Sequence, residues 1–168
     1  MAKNSGAVVR AGPNDGIGCL AVRTAGTAAR VLVCVIAALS VRAAHAGTDP
    51  ATDYLLHCAG CHQRDGSGLP RSGIPSMVGN VGHFLRSASG RAFLVQVPGT
   101  AHSPLSDAQV AALLNWMLAR FSAAQLPRDA APYTAAEVTR LRGIALRDLP
   151  AARRAIVAEL AAQGIVVR

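Results

Sequence analysis

Two cysteines and a histidine stand close together at Cys58, Cys61 and His62, in the run Cys-Ala-Gly-Cys-His. Thiols at this spacing can bind a metal, form a redox-active disulfide, or add to the two vinyl groups of a haem. In the last case the histidine that follows becomes an axial ligand of the iron. The order C-x-x-C-H is typical of haem attachment and predicts one haem c held through two thioethers.

The alternative chemistries have little support elsewhere in the sequence. A structural zinc site needs four protein ligands, and no second cysteine pair follows, so His83 and His102 would complete a set only by coincidence. A thioredoxin-like pair needs a βαβ surround, which the patterning after residue 46 lacks. A disulfide between residues three apart would close a strained loop that constrains the chain little.

The first 46 residues have the pattern of a signal peptide. A basic leader is followed by an almost unbroken apolar run at 31–41 and by the small-x-small sequence Ala44-His45-Ala46. We expect Sec-type export to the periplasm and cleavage after Ala46, although the leader is long enough for translation to begin downstream of Met1. The apolar run is shorter than the roughly 20 residues of a bilayer span, so no permanent membrane span is expected.

Cleavage after residue 46 changes both the cysteine count and the charge. It removes Cys19 and Cys34, which leaves only the two cysteines of the motif. It also removes five of the 17 basic residues and one of the nine acidic residues, so the formal net charge falls from +8 to +4. The remaining arginines are scattered among few aromatic residues, which argues against nucleic acid as a partner.

The patterning of the mature chain predicts an all-α domain. A helix opened by Asp49-Pro50 should run into the motif, and the glycine- and proline-rich residues 63–80 should form an ordered loop. Residues 81–97 predict one or two short helices, although 92–97 could be extended. A Ser106-x-x-Gln109 capping box then precedes the most amphipathic helix of the sequence.

Two further helices are expected after Pro127. Thr134 and Glu137 form a second capping box, and residues 150–163 carry one apolar stripe before Gly164. We interpret these helices as a C-terminal extension. The expected segments are therefore a signal peptide at 1–46, a haem-binding domain at 47–121 and a helical extension at 122–168.

These features together resemble the class I c-type cytochromes. The resemblance covers about residues 50–121 and includes the motif, Gln63-x-Asp65-Gly66-x-Gly68, Pro75 and a final helix with Trp116. It implies a small fold in which the first and last helices cross beside one covalent haem. It also implies that the Pro75 carbonyl accepts a hydrogen bond from the ring of His62, which would orient the imidazole and tune the redox potential.

The second axial ligand departs from the family pattern. Class I members usually supply a methionine from the loop before the last helix, but residues 97–104 contain none. Met77 and His102 are the candidates, and water, another residue or no sixth ligand stay open. Met117 is expected to pack in the core.

The other histidines and the aromatic residues are assigned structural roles. We expect His57 and His83 to lie on the surface. The aromatic residues are expected to pack in the core or against the haem: Tyr54, Phe84, Phe93 and Trp116.

The leading functional hypothesis is an electron carrier, not an enzyme, although an accessory subunit of a dehydrogenase is possible. Its expected partners are redox proteins, a periplasmic dehydrogenase or oxidase, approached through mild positive charge. The alternative is a haem-based small-ligand binding protein or a peroxidase-like enzyme with an open sixth position, for which His102 and Arg91 are the distal groups to consider. A third hypothesis makes residues 129–168 a docking module whose apolar stripe, with Ile156 and Leu160, clasps a larger enzyme.

Overall fold

The computed structural model describes residues 49–168, and every regular element within that range is helical. Helix α1 spans Pro50–His57 and helix α2 spans Ala59–His62. Asp49 caps α1 by accepting a hydrogen bond from the Thr52 amide at 3.2 Å, and Pro50 occupies the first turn, where no amide donor is needed. The predicted helix that runs into the motif is confirmed.

The segment after the motif is mainly loop, as its glycine and proline content predicts. It contains one short 3-10 helix, Pro70–Ser72, and an isolated bridge between Leu69 and Ile74. A second 3-10 helix, Val81–Arg86, leads into α3 at Ala88–Gln96. The extended alternative for residues 92–97 is therefore wrong, because α3 continues through Gln96 and α4 follows at Pro98–Ala101.

Helix α5, Asp107–Ser122, is the longest helix of the described residues and crosses α1. Its capping box is formed as predicted, with the Ser106 hydroxyl accepting from the Gln109 amide and the Gln109 side chain accepting from Ser106. A cap of this kind contributes about 1 kcal/mol. At the crossing, the Tyr54 ring lies 5.4 Å from that of Trp116 and 5.1 Å from that of Phe121, between centroids.

The C-terminal part consists of a 3-10 helix, Ala123–Gln125, and two α-helices, α6 at Ala135–Arg142 and α7 at Leu149–Ala162. Helix α6 packs on α5 and α3. Helix α7 packs on α3 and on the 3-10 helix Val81–Arg86. The described residues, 49–168, belong to one compact unit, so the extension folds back onto the rest of the domain.

The apolar stripe of α7 is buried within the protein. Ile156 and Leu160 are 4% and 0% exposed and pack with Phe84 and Phe93 in one core cluster. The stripe is therefore not available to clasp another enzyme, which removes the observation that motivated the docking hypothesis. Among the described residues no helix is long and apolar enough to cross a membrane. The predicted signal peptide and its cleavage after Ala46 lie outside the described residues.

Candidate functional site

The two motif cysteines lie where α1 passes into α2. The Cys58 amide donates to the Tyr54 carbonyl at 2.9 Å, and the His62 amide donates to the Cys58 carbonyl at 2.9 Å, so Cys58 caps the end of α1 and the start of α2. Residues three apart on a helix lie on the same face. Cys58 is half-buried, Cys61 is exposed, and both are free thiols.

The surroundings of the two thiols do not form a multi-ligand metal site. In the described part of the chain, no group of three or more histidine, cysteine or acidic side chains is placed to hold a metal ion. Burial, with the nearby negative charges of Asp53 and Cys61, raises the pKa of Cys58 to about 11. Cys58 is therefore a neutral thiol at pH 7.

His62 is half-buried and faces the loop that follows it. Burial lowers its pKa, and interaction with the backbone carbonyl of Pro75 acts in the opposite direction. The Nδ1 atom is buried and has no partner in hydrogen-bond geometry. The structure thus places the Pro75 carbonyl near the His62 ring, as the resemblance implied. The buried Nδ1 atom of His62 has no hydrogen bond, and an unsatisfied buried nitrogen of this kind is expected of an imidazole that turns when a ligand binds.

Two glycines after the motif allow the loop to close around His62. Gly68 has φ 69°, its amide donates to the His62 carbonyl at 3.0 Å, and a Cβ there would lie 2.6 Å from the Pro75 carbonyl oxygen. A Cβ at Gly66 would lie 2.8 Å from the ring of Phe121. Only glycine fits at either position without displacing its neighbours, so these residues hold Pro75 against His62.

Apolar side chains remain exposed beside the thiols. Leu55, Leu56 and Leu69 are 47%, 69% and 41% exposed, and nothing lies within 4 Å of a Cβ built on Gly60. Isolated exposed leucines are common, but here Leu55 and Leu56 immediately precede the motif in α1, and Leu69 lies in the loop that follows it. A flat apolar group that bonds to both sulfurs would find surface to cover here, so the residues present fit a haem.

Both methionines of the described residues lie in the core, the candidate ligand Met77 and, as predicted, Met117. Met77 and Met117 are 7% and 9% exposed, and both belong to the cluster that includes Tyr54. Met77 is also tied to the loop next to His62, because its amide donates to the Gly66 carbonyl at 2.9 Å. His102, by contrast, is exposed at the end of α4.

The predictions for the other histidines have different outcomes. His57 is exposed, as predicted. His83 is half-buried: its Nδ1 atom is buried, and burial, with the positive charge of Arg86, lowers its pKa. The predicted core aromatics Tyr54, Phe84 and Phe93 are buried, and Trp116 is half-buried.

Arg91 has a structural role that the sequence did not reveal. Its guanidinium forms two 2.7 Å hydrogen bonds to the carboxylate of Glu137 and also donates to the carbonyls of Ala131 and Pro132. It lies 4.1 Å above the Tyr133 ring. Because the donors of this guanidinium are occupied, the structure gives no support to Arg91 as a distal charge partner.

A second arginine, Arg142, was missed entirely. It ends α6 and forms five hydrogen bonds with acceptors in residues 101–107. We call residues 131–142 the strap, because they also include Tyr133, whose amide and carbonyl pair with the Asn115 side chain at 2.8 and 3.0 Å. No local sequence pattern indicates contacts between residues so far apart in the chain.

Two free thiols, a histidine and exposed apolar side chains at the first helix of an all-α domain form a candidate site for a covalently held apolar cofactor. No protein-family model matches the chain. The chain is similar to two proteins named cytochrome c-552. One, from Thermus thermophilus, is 31% identical over 103 residues, and the match covers 51% of this chain and 78% of the relative. The other, from a named strain of the same organism, is 32% identical over 103 residues and is covered over 69% of its length.

The chain therefore belongs to the class I c-type cytochromes, and the resemblance found in the sequence is confirmed. Its all-α fold agrees with that family. Family membership makes it a haem c electron-transfer protein.

Proposed function

We propose that this protein is a periplasmic carrier of single electrons with one haem c bound covalently at Cys58, Cys61 and His62. The observation that carries the proposal is the geometry at the end of α1, where two free thiols and a half-buried imidazole occupy one short helical segment. Their spacing is that required for two thioethers and one axial ligand. The exposed leucines beside them provide the apolar surface.

The thiols are suited to the attachment chemistry. Cys58 and Cys61 would hold the haem through two thioethers, and because an S–H would add across a vinyl double bond, with sulfur on one carbon and hydrogen on the other, no oxidant would be needed. The raised pKa of Cys58 keeps its proton in place for that addition. A disulfide between the two cysteines would block it, and both are free.

When bound, the haem iron supplies the redox chemistry by alternating between its ferric and ferrous states. The residues around His62 fix one side of that centre: Gly68 keeps the Pro75 carbonyl close, and the carbonyl favours a ring nitrogen that carries its proton. Such a contact makes the imidazole a stronger donor to iron and lowers the reduction potential.

The surface around the motif supports transient contact with redox partners. Leu56 is 69% exposed, and the arginines of the adjoining loop, Arg64 and Arg71, are also exposed. A small apolar area within a positive rim suits a weak, salt-sensitive complex with the acidic surface of a periplasmic dehydrogenase or oxidase. The leader at 1–46 supports export, and its removal after Ala46 would leave a mature chain that begins at Gly47.

One observation favours a second function, the binding of a small ligand at the iron. Neither mature methionine is free to coordinate, because Met77 and Met117 are packed in the core. An open sixth position would make the protein a sensor or carrier of a diatomic gas. The peroxidase-like version has no support, since Arg91 is held by Glu137.

Covalent haem staining and carbon monoxide binding test the two functions. The chain is produced in a periplasm that contains a haem-attachment system, and the denatured protein is stained for haem on a gel. Staining is expected for the wild type and for His57→Ala, a matched exposed control, and not for Cys58→Ala with Cys61→Ala. Stain that persists in the double variant contradicts covalent attachment, and prompt carbon monoxide binding by the reduced wild type favours the small-ligand function.

A further inference from the structure

The two ends of α5 face different parts of the molecule. At its carboxyl end lies the loop that follows His62: the Gly79 amide donates to the Phe121 carbonyl at 2.9 Å, and Gly66 lies against the Phe121 ring. The amino end begins at Asp107, 14 residues before Phe121, which is about 21 Å along a helix. Groups that pack on the His62 side are therefore separated from groups at the amino end.

Three side chains that could in principle coordinate the iron lie on the same side of the molecule as His62. Met77 belongs to the loop beside His62, and His83 follows Gly82, whose amide donates to the Ser122 hydroxyl at 3.0 Å at the carboxyl end of α5. His57 directly precedes Cys58 on the segment that presents His62. Each of these three residues is therefore carried by a segment that packs on the His62 side of the molecule.

Among the other side chains of the described residues that commonly bind haem iron, only His102 lies at the amino end of α5. Met117 is buried within α5, and the sequence contains no lysine after Lys3. His102 lies at the other end of α5, between α4 and the Ser106 cap. Its side chain is exposed and has no hydrogen bond to any described residue.

The backbone around His102 is held firmly by the strap. Arg142 is the last residue of α6, its side chain is 18% exposed, and its guanidinium donates five hydrogen bonds. The acceptors are the Ala101 carbonyl at 2.8 Å, the Leu105 carbonyl at 2.7 Å, the Ser103 carbonyl, the Ser103 hydroxyl at 3.3 Å and the Asp107 carboxylate at 3.0 Å. The planar fork of arginine allows one side chain to bind acceptors on both sides of a turn.

We propose that His102 is the second axial ligand of the iron and that Arg142 is the positioning residue that fixes its segment. The inference depends on the proposed function, because it requires the haem to be attached at the motif. A segment fixed in advance loses little conformational entropy when its histidine binds, so the arrangement favours coordination by two histidines over an open site. It also places the reduction potential below that of a histidine–methionine pair.

Substitution of His102 in the holoprotein tests the ligand. The wild type is expected to be six-coordinate and low-spin, without a sulfur-to-iron charge-transfer band. His102→Ala should bind carbon monoxide about tenfold faster or more in the ferrous state, because the competing ligand is gone. His102→Met should introduce the sulfur-to-iron band and raise the reduction potential, a response that a merely structural histidine would not give.

Substitution of Arg142 tests the positioning. Arg142→Ala should increase the rate of carbon monoxide binding by about threefold or more, since the His102 segment is then free to move. Arg142→Lys should not restore the wild-type rate, because lysine lacks the fork. The matched control is Arg140→Ala, an exposed arginine of the same helix, which should bind carbon monoxide as the wild type does.

The outcomes separate this inference from the proposed function. If covalent haem is present and His102→Ala keeps the wild-type spectrum and carbon monoxide rate, the ligand assignment is overturned and the electron-carrier proposal stands. A sulfur-to-iron charge-transfer band in the wild type also overturns the assignment of His102 as the ligand. Absence of covalent haem from the wild type overturns both. If His102→Ala does not fold, His102→Met tests the same assignment, because the sulfur-to-iron band and the higher reduction potential appear only if residue 102 binds the iron.

Discussion

The motif segment and the strap are held by different kinds of interaction. Residues 54–69, the motif segment, are shaped by helix hydrogen bonds, two special glycines and a contact between the Tyr54 hydroxyl and the Gln63 carbonyl at 2.5 Å. They leave thiols and leucines exposed. The strap, residues 131–142, is fixed by side-chain hydrogen bonds to positions 18 to 46 residues away. The first region is built for a cofactor, and the second restrains the scaffold around it.

The largest expected effect comes from removing the anchor of the strap. Tyr133 is 3% exposed, its hydroxyl donates to the Arg91 carbonyl at 2.7 Å, and its backbone pairs with Asn115. Tyr133→Ala leaves a cavity and removes the hydrogen bond to the Arg91 carbonyl, so we expect a loss of about 3 to 5 kcal/mol in the free energy of unfolding. Denaturant titration of the holoprotein measures it.

The matched variant for that prediction is Tyr133→Phe. It keeps the ring and removes only the hydroxyl, so a loss of about 1 kcal/mol is expected. Equal losses for the two variants would show that the hydrogen bond, and not the packing of the ring, holds the strap.

The second prediction concerns the motif segment. Gly68→Ala places a Cβ 2.6 Å from two backbone oxygens at a residue with φ 69°, and backbone cannot move aside as a flexible side chain can. We expect a loss of about 2 kcal/mol or more in stability and a disturbed contact between Pro75 and His62. Thermal unfolding measures the loss of stability, and a shift in the reduction potential of the holoprotein reports the disturbed contact between Pro75 and His62.

Gly60→Ala is the control in the same segment. Gly60 lies within α2 and has open space where a Cβ would stand, so alanine should stabilise the protein by about 0.5 to 1 kcal/mol. If both substitutions cost the same, the loop does not depend on the conformation that only glycine adopts at residue 68.

The different origins of the two regions explain how much the sequence predicted. The helix into the motif, the Ser106 capping box and the loop glycines follow from local rules, and the structure confirms them. The contacts of Arg91 and Arg142 depend on a tertiary arrangement that brings distant residues together, and no local pattern encodes it. For the same reason the Ile156 stripe was interpreted as a docking face, although it is buried against Phe84 and Phe93.

The third prediction uses pH to test the strap. Hydrogen bonds from Arg91 and the positive charge nearby hold the pKa of Glu137 below its usual range. A carboxyl whose pKa is lower in the folded than in the unfolded state stabilises the fold above its unfolded pKa, about 4.3, and that contribution is lost as the pH falls through the folded pKa. Glu137→Gln should therefore cost about 1 to 2 kcal/mol at pH 7.

The loss of stability in Glu137→Gln relative to the wild type should become smaller as the pH falls below about 4. Urea unfolding between neutral and acidic pH measures it. Asp129→Asn is the control, since Asp129 is exposed and forms no hydrogen bond with the described residues. A Glu137→Gln deficit that is the same at every pH would contradict the ion pair with Arg91 as its cause.

The smallest effect on stability is expected at the surface of the motif segment. Leu56 is 69% exposed, so Leu56→Ser should change the free energy of unfolding by less than about 0.5 kcal/mol. If the apolar area beside the motif is where partners dock, the same substitution should slow electron exchange with a redox partner, which stopped-flow mixing with a reduced or oxidised partner protein measures. Ile144→Ser is the matched control, because Ile144 is 52% exposed but lies beyond the strap. Equal slowing by both variants, or by neither, would place the docking surface elsewhere. A selective effect of Leu56→Ser would show that the motif segment contributes contact surface and little stability, in contrast to the stabilising contacts of the strap.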